Sequence, residues 1–130
     1  MIGILIVTHG DIGLSLLKSA AQILGKSFNN TNCISVESNH EIHTYKKTIN
    51  SELLKLNSGK GVLIMSDMYG ATPTNILKEL VVANKIEVLT GINLPMLVQA
   101  LTNRDSELKK LISDCLKCGK DSVINLNDHD

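Results

Sequence analysis

The run IGILIVTHGDIG, residues 2–13, decides how the rest of the chain is read. From Ile2 to Thr8 it is apolar or β-branched almost throughout, the pattern of a strand buried on both faces. His9, Gly10 and Asp11 then break the run. A helical period takes over from Asp11 to Leu24, with Ile12, Leu16, Ala20, Ile23 and Leu24 on one face and Gly25 as a stop. A fully buried strand followed so closely by a helix is the opening of a βαβ unit.

The pattern repeats. Cys33 to Glu37 reads as a weaker second strand, and Glu41 to Leu56 as a helix with Ile42, Tyr45, Ile49, Leu53 and Leu56 in one stripe. GVLIMS (Gly61 to Ser66) is a second strongly buried strand. Thr72-Pro73 has the order of an N-cap and a first-turn proline, opening a helix to about Val82. Ile86 to Leu89 is a fourth strand. Asn93-Leu94-Pro95 starts another helix, and Asp105 or Ser106 caps a last one to about Cys118. SVINL (Ser122 to Leu126) has the residues of a short terminal strand, and residues 127–130 those of a frayed tail.

Strands alternating with helices through short connections predict an α/β fold, a doubly wound and mostly parallel four-stranded sheet in the order 2-1-3-4. The short C-terminal strand would sit at an edge. At 130 residues the chain fits a single domain. Thirteen basic and thirteen acidic residues cancel, and Phe28, Tyr45 and Tyr69 are its only aromatics. Neither a phosphate-backbone surface nor a base-stacking platform can be built from that stock, so no nucleic-acid partner is expected. The apolar runs are too short to cross a bilayer, the first has no basic residues before it, and Cys33, Cys115 and Cys118 are few and odd in number. A soluble chain in a reducing cytoplasm is the expectation.

In a 2-1-3-4 sheet the chain reverses direction between strands 1 and 3, and ligands bind outside the carboxyl ends of the strands at that point. Strand 1 ends at His9 and strand 3 at Asp67. A carboxylate that accepts a hydrogen bond from one imidazole nitrogen fixes the tautomer and leaves the other nitrogen's lone pair free. Gly10 and Gly70 allow close approach, and Thr8, Ser66 and Thr72 offer hydroxyl donors. The helix from Asp11 points its first amides at whatever His9 carries, which suits an anion. Taken one at a time, His9 is equally a turn residue, Asp67 a loop cap and Thr72 a helix cap. Only their meeting at one crevice makes a site able to hold a phosphoryl group.

THG (Thr8, His9, Gly10), SDMYGATPTN (Ser66 to Asn75) and TGINLPML (Thr90 to Leu97) stand in an order and spacing that resemble the enzyme IIA component of the mannose-type sugar phosphotransferase system. The likeness covers essentially the whole chain. It implies that His9 accepts a phosphoryl group from the phosphocarrier HPr and passes it to a IIB protein. It also implies that Asp67 orients His9, that Thr72 holds the family's small-hydroxyl position, and that SVINL pairs with a second subunit in a homodimer. Tyr69 and Ala71 stand where relatives can differ, beside the site.

Other signals are weaker. His40-Glu-Ile-His43 lacks the spacing of a zinc-protease helix, because Thr44 stands where its second histidine belongs. Cys115-Leu-Lys-Cys118 lies in the last helix without further metal ligands. GDIG has no P-loop lysine. No metal or cofactor is expected. A receiver domain with Asp67 as phosphoacceptor would need an acidic cluster after strand 1 and a lysine in LTGIN, and both are missing. With the chain ending at residue 130, no IIB domain is expected to follow. A purely regulatory module, in which the state of His9 controls binding to another protein, is therefore the alternative to sugar uptake.

Overall fold

The computed structural model describes residues 1–37, 42–68 and 72–128. Four strands, β1 (Gly3–His9), β2 (Thr31–Val36), β3 (Val62–Ser66) and β4 (Ile86–Leu89), form one sheet in the order β2-β1-β3-β4. Every neighbouring pair is parallel. Among the described residues five helices flank the sheet: α1 (Ile12–Leu24), α2 (Ile42–Leu56), α3 (Thr72–Lys78), α4 (Leu94–Thr102) and α5 (Leu108–Asp121).

Alternation along the central strands divides the core in two. Ile4, Ile6, Leu63 and Met65 face a layer that includes Ala20, Leu97, Leu101 and Leu111 from α1, α4 and α5. Leu5, Val7, Val62 and Ile64 face the opposite way, onto Ile49 and Leu53 of α2 and Ile76 and Leu77 of α3. Both faces of β1 and β3 are thus covered, which is why their sequences carry no polar alternation. Arg104, after α4, closes the amino-terminal end of the sheet: its guanidinium donates to the carbonyls of Ile2, Asn29 and Asn30.

A glycine sets one of the close approaches at the entrance to β3. A Cβ on Gly61 would lie 2.6 Å from the Lys85 carbonyl oxygen, and its φ is +89°. Gly61→Ala is therefore expected to destabilise the protein by about 2–3 kcal/mol, read as a lowered urea midpoint with unchanged m-value. An unchanged midpoint would show that the β3 entrance yields freely.

The helix ends follow local chemistry. Gly25 adopts a left-handed φ of 68°, and the amides of Gly25 and Lys26 both donate to the Ala21 carbonyl, terminating α1 where the sequence predicts. The side chain of Asn93 accepts the Met96 amide and caps α4, with Pro95 in the first turn. α3 ends at Lys78 rather than near Val82. Val82 and Ile86 exchange backbone hydrogen bonds around Asn84, whose φ is +66°, and this tight reversal feeds the chain into β4. α5 starts at Leu108, with Glu107 rather than Asp105 or Ser106 at the cap position, and runs on to Asp121.

Two expectations need correction. Ser122 to Leu126 forms no strand in this chain: it leaves α5 irregularly and ends in a short 3-10 turn, Leu126–Asp128, with Val123, Ile124 and Leu126 exposed. Strand residues need a neighbour to bond, and none of the four strands receives this segment. The stripe on α1 is also only partly interior. Ala20 is buried and Leu16 and Leu24 lean on the core, but Ile12 and Ile23 are exposed. Among the described residues no helix is long and apolar enough to cross a membrane.

Candidate functional site

The parallel order brings the carboxyl ends of β1 and β3 side by side, so His9 and Asp67 meet although 58 positions separate them. Asp67 Oδ2 accepts two hydrogen bonds from the same residue, one from the His9 backbone N–H at 3.1 Å and one from the ring Nδ1 at 2.8 Å. Oδ1 accepts the Met68 amide at 2.9 Å. Burial pushes the Asp67 carboxyl up, but the His9 ring, the His9 amide and the Met68 amide together outweigh it. They hold its pKa below the usual carboxylate value.

An ionised Asp67 can only accept, so Nδ1 carries the proton and Nε2 the lone pair. The His9 side chain is 44% exposed and that of Asp67 15%. The ring is held from behind and open in front. Chemically this is a fixed-tautomer nucleophile or base with its partner carboxylate shielded.

The surroundings brace the pair. Gly10, at φ +46°, sends its amide to the Val36 carbonyl and so ties the turn after His9 to the end of β2. The Gly91 amide donates to the Asp67 carbonyl at 2.8 Å, and the Ile92 amide to that of Ser66 at 3.0 Å. Sequence reasoning missed these two contacts. The signal available for them was the glycine of LTGIN, which takes a φ of +73° to turn its amide back toward β3.

The predicted hydroxyls fall differently. Thr8 is 1% exposed, and its Oγ1 accepts the Gly13 amide at 2.8 Å. Ser66 is fully buried, and its Oγ has no hydrogen-bond partner among the described residues. Neither hydroxyl reaches solvent at the crevice, because inward-facing positions at these strand ends are covered by the helices. Thr72 opens α3, but its side chain lies outside the described residues, as does Gly70.

Of the remaining signals, His40 and Glu41 also lie outside the described residues, while His43 is exposed on α2. Cys33 and Cys115 have thiols pushed up by burial to about 11 and about 12, respectively, which keeps them protonated and poor nucleophiles. Among the described residues no group of three or more His, Cys, Asp or Glu side chains could hold a metal ion.

The chain matches a family model described as "PTS system fructose IIA component" over residues 3–115. The PTS system mannose-specific EIIAB component of Escherichia coli K12 is 34% identical over 125 residues, 94% of this chain but only 38% of that protein. The PTS system fructose-specific EIIA component of Bacillus subtilis is 26% identical over 131 residues, covering 99% of this chain and 89% of that protein. Among solved structures, phosphotransferase system component EIIA from Streptococcus agalactiae superposes with a TM-score of 0.87 at 25% identity, over 98% of this chain and 99% of that one. The mannose/sorbose-specific IIA subunit from Enterococcus faecalis shares the fold at 18% identity, with a TM-score of 0.83 over 95% and 93% of the two chains. By the family match and these relatives, the chain belongs to the mannose/fructose-type IIA component family of the sugar phosphotransferase system.

Proposed function

We propose that this chain is a cytoplasmic phosphocarrier in which Nε2 of His9 accepts a phosphoryl group from phospho-HPr and passes it to a IIB protein in sugar uptake. One observation carries the reading: Asp67 Oδ2 holds both the backbone and the ring of His9, leaving Nε2 as the nucleophilic nitrogen on an exposed ring. The lone pair of Nε2 attacks phosphorus as the donor's P–N bond breaks, and that bond's electron pair returns to the donor ring. The new phospho-imidazole is cationic, and the Asp67 carboxylate at Nδ1 balances that charge without taking the proton. Gly10 lets the donor approach closely, and Gly70 and Thr72 are assigned to the same phosphoryl-binding set. Thr8 ties the end of β1 to α1 through the Gly13 amide, and Ser66 is buried at the end of β3. The step needs alignment of two histidines rather than a metal or nucleotide in this chain.

The assay is direct. Incubation with phosphoenolpyruvate, enzyme I and HPr is expected to place one acid-labile, alkali-stable phosphate on the protein. Phosphate that survives acid would point to another acceptor and overturn the assignment.

The same reading includes a homodimer. Val123, Ile124 and Leu126 are exposed, and β4 is an edge strand only four residues long. Pairing of Ser122 to Leu126 with a second subunit's sheet would cover both. A chain truncated after Asp121 is expected to sediment as a monomer while the full chain sediments as a dimer. Equal sedimentation of the two would remove the segment from the interface.

A further inference from the structure

The junction between β1 and α1 is held in an unusual way. Asp11 occupies the cap position of α1, yet its side chain makes no capping hydrogen bond. The cap is supplied from the strand instead: Thr8 Oγ1, three residues earlier and almost fully buried, accepts the amide of Gly13 in the first helical turn. Gly13 fits there for lack of a side chain. A Cβ on it would lie 2.6 Å from Ile6 Cγ2 and 3.1 Å from Thr8 Oγ1 itself. Hydroxyl and glycine are thus a matched pair, and between them lie His9, Gly10, Asp11 and Ile12.

That short loop is pinned at three places. Thr8 Oγ1 holds Gly13, the Gly10 amide holds the Val36 carbonyl, and the His9 amide holds Asp67 Oδ2. The last two bonds are on the reacting side of the sheet edge, and the first is inside. Asp67 Oδ2 meets both the His9 amide and Nδ1 only while the His9 backbone keeps its place. Releasing the inner pin lets the turn relax, loosening the shared contact and swinging the direction of the Nε2 lone pair. Phosphoryl transfer between two proteins depends on that direction, because reacting groups displaced by about 1 Å lose roughly 100-fold in rate.

We propose that Thr8 is a positioning residue for phosphoryl transfer, acting through Gly13 to fix the imidazole of His9. The proposal rests on His9 being the phosphoryl acceptor. Thr8 touches no substrate. Its contribution is to make the strand end and the helix start one rigid unit.

Three variants test it. Thr8→Val keeps the shape and removes the acceptor, Thr8→Ser keeps the acceptor, and Gly13→Ala displaces the hydroxyl from the helix side. Each is read by thermal midpoint, by kcat and KM for phospho-HPr, and by the ¹⁵N shifts of the His9 ring. Thr8→Val is expected to lower kcat roughly 10- to 100-fold at unchanged KM and to shift the ring nitrogens from a single tautomer toward a mixture. Thr8→Ser should retain the wild-type rate and shifts. If Thr8→Val does not fold, Gly13→Ala carries the same expectation. A folded Thr8→Val protein of normal kcat and single-tautomer shifts, whatever its thermal midpoint, would reduce Thr8 to a helix cap and overturn the proposal. The ring shifts need no phosphoryl donor. A wild-type protein that takes no phosphate but keeps a Thr8-dependent tautomer would defeat the functional reading and leave the coupling standing.

Discussion

Replacing His9 by alanine is expected to abolish phosphate incorporation from phospho-HPr, a fall of at least roughly 10³-fold, while leaving the fold intact. The loss is large because no neighbouring group among the described residues can substitute. In the variant, Asp67 Oδ1 still accepts the Met68 amide and Oδ2 still accepts the backbone amide of residue 9, so neither carboxylate oxygen is free to take the imidazole's place. The thiols of half-buried Cys33 and buried Cys115 hold their protons, and the hydroxyls of Thr8 and Ser66 are covered. Removing the nucleophile therefore removes the covalent intermediate itself. The ring is partly exposed, so its deletion leaves no large cavity, and the thermal midpoint should change little. Phosphate retained by the His9→Ala protein would mean that the acceptor is elsewhere.

Asp67→Asn tests the other half of the pair, and its effect is expected to be roughly 10²- to 10⁴-fold on single-turnover transfer from phospho-HPr. An amide keeps the size of the side chain but not its charge or its acceptor-only character. Nδ1 is then no longer held as the protonated nitrogen, and the cationic phospho-imidazole loses its balancing charge. A transfer rate within threefold of wild type would show that the carboxylate is only structural.

The pH dependence separates these roles further. The folded Asp67 carboxyl lies below its usual 3.8, so its ionised form is the one that folding favours. Its contribution to stability is full above the unfolded value and is lost as pH falls through the folded one. The difference in urea midpoint between wild type and Asp67→Asn should shrink as pH falls below 3.8. A difference that grew on acidification would reverse the sign and refute the assigned shift.

Much of this was legible in the sequence, for physical reasons that differ by element. β1 and β3 announce themselves because strands covered on both faces leave no room for polar alternation. Gly25 and Asn93 mark helix ends because capping is a local transaction between a residue and amides or carbonyls a few positions away. α3 misleads for the opposite reason. Leu80, Val81 and Val82 continue an apolar pattern, but the bonds between Val82 and Ile86 stop the helix at Lys78. Those bonds form only where the chain must turn back into the sheet. SVINL misleads in the same way, since β propensity describes a segment that suits a strand without supplying a neighbour to pair with.

Residue chemistry and periodicity by themselves determined the alternating α/β architecture, the strand order and the two residues that meet at the switch point. They could do so because burial pattern and right-handed crossovers leave few alternatives. Which atoms meet was decided only by the tertiary structure. The sequence offers Thr8 as one more hydroxyl beside His9, and Asp11 as the start of the helix. Packing reverses this, burying Thr8 against Gly13 and leaving the side chain of Asp11 without a capping bond. Asp67 likewise could have been a loop cap until its Oδ2 was found on both the amide and the ring of His9. A hydrogen bond is set over a few tenths of an ångström by long-range packing, and no local pattern in a chain encodes distances that fine.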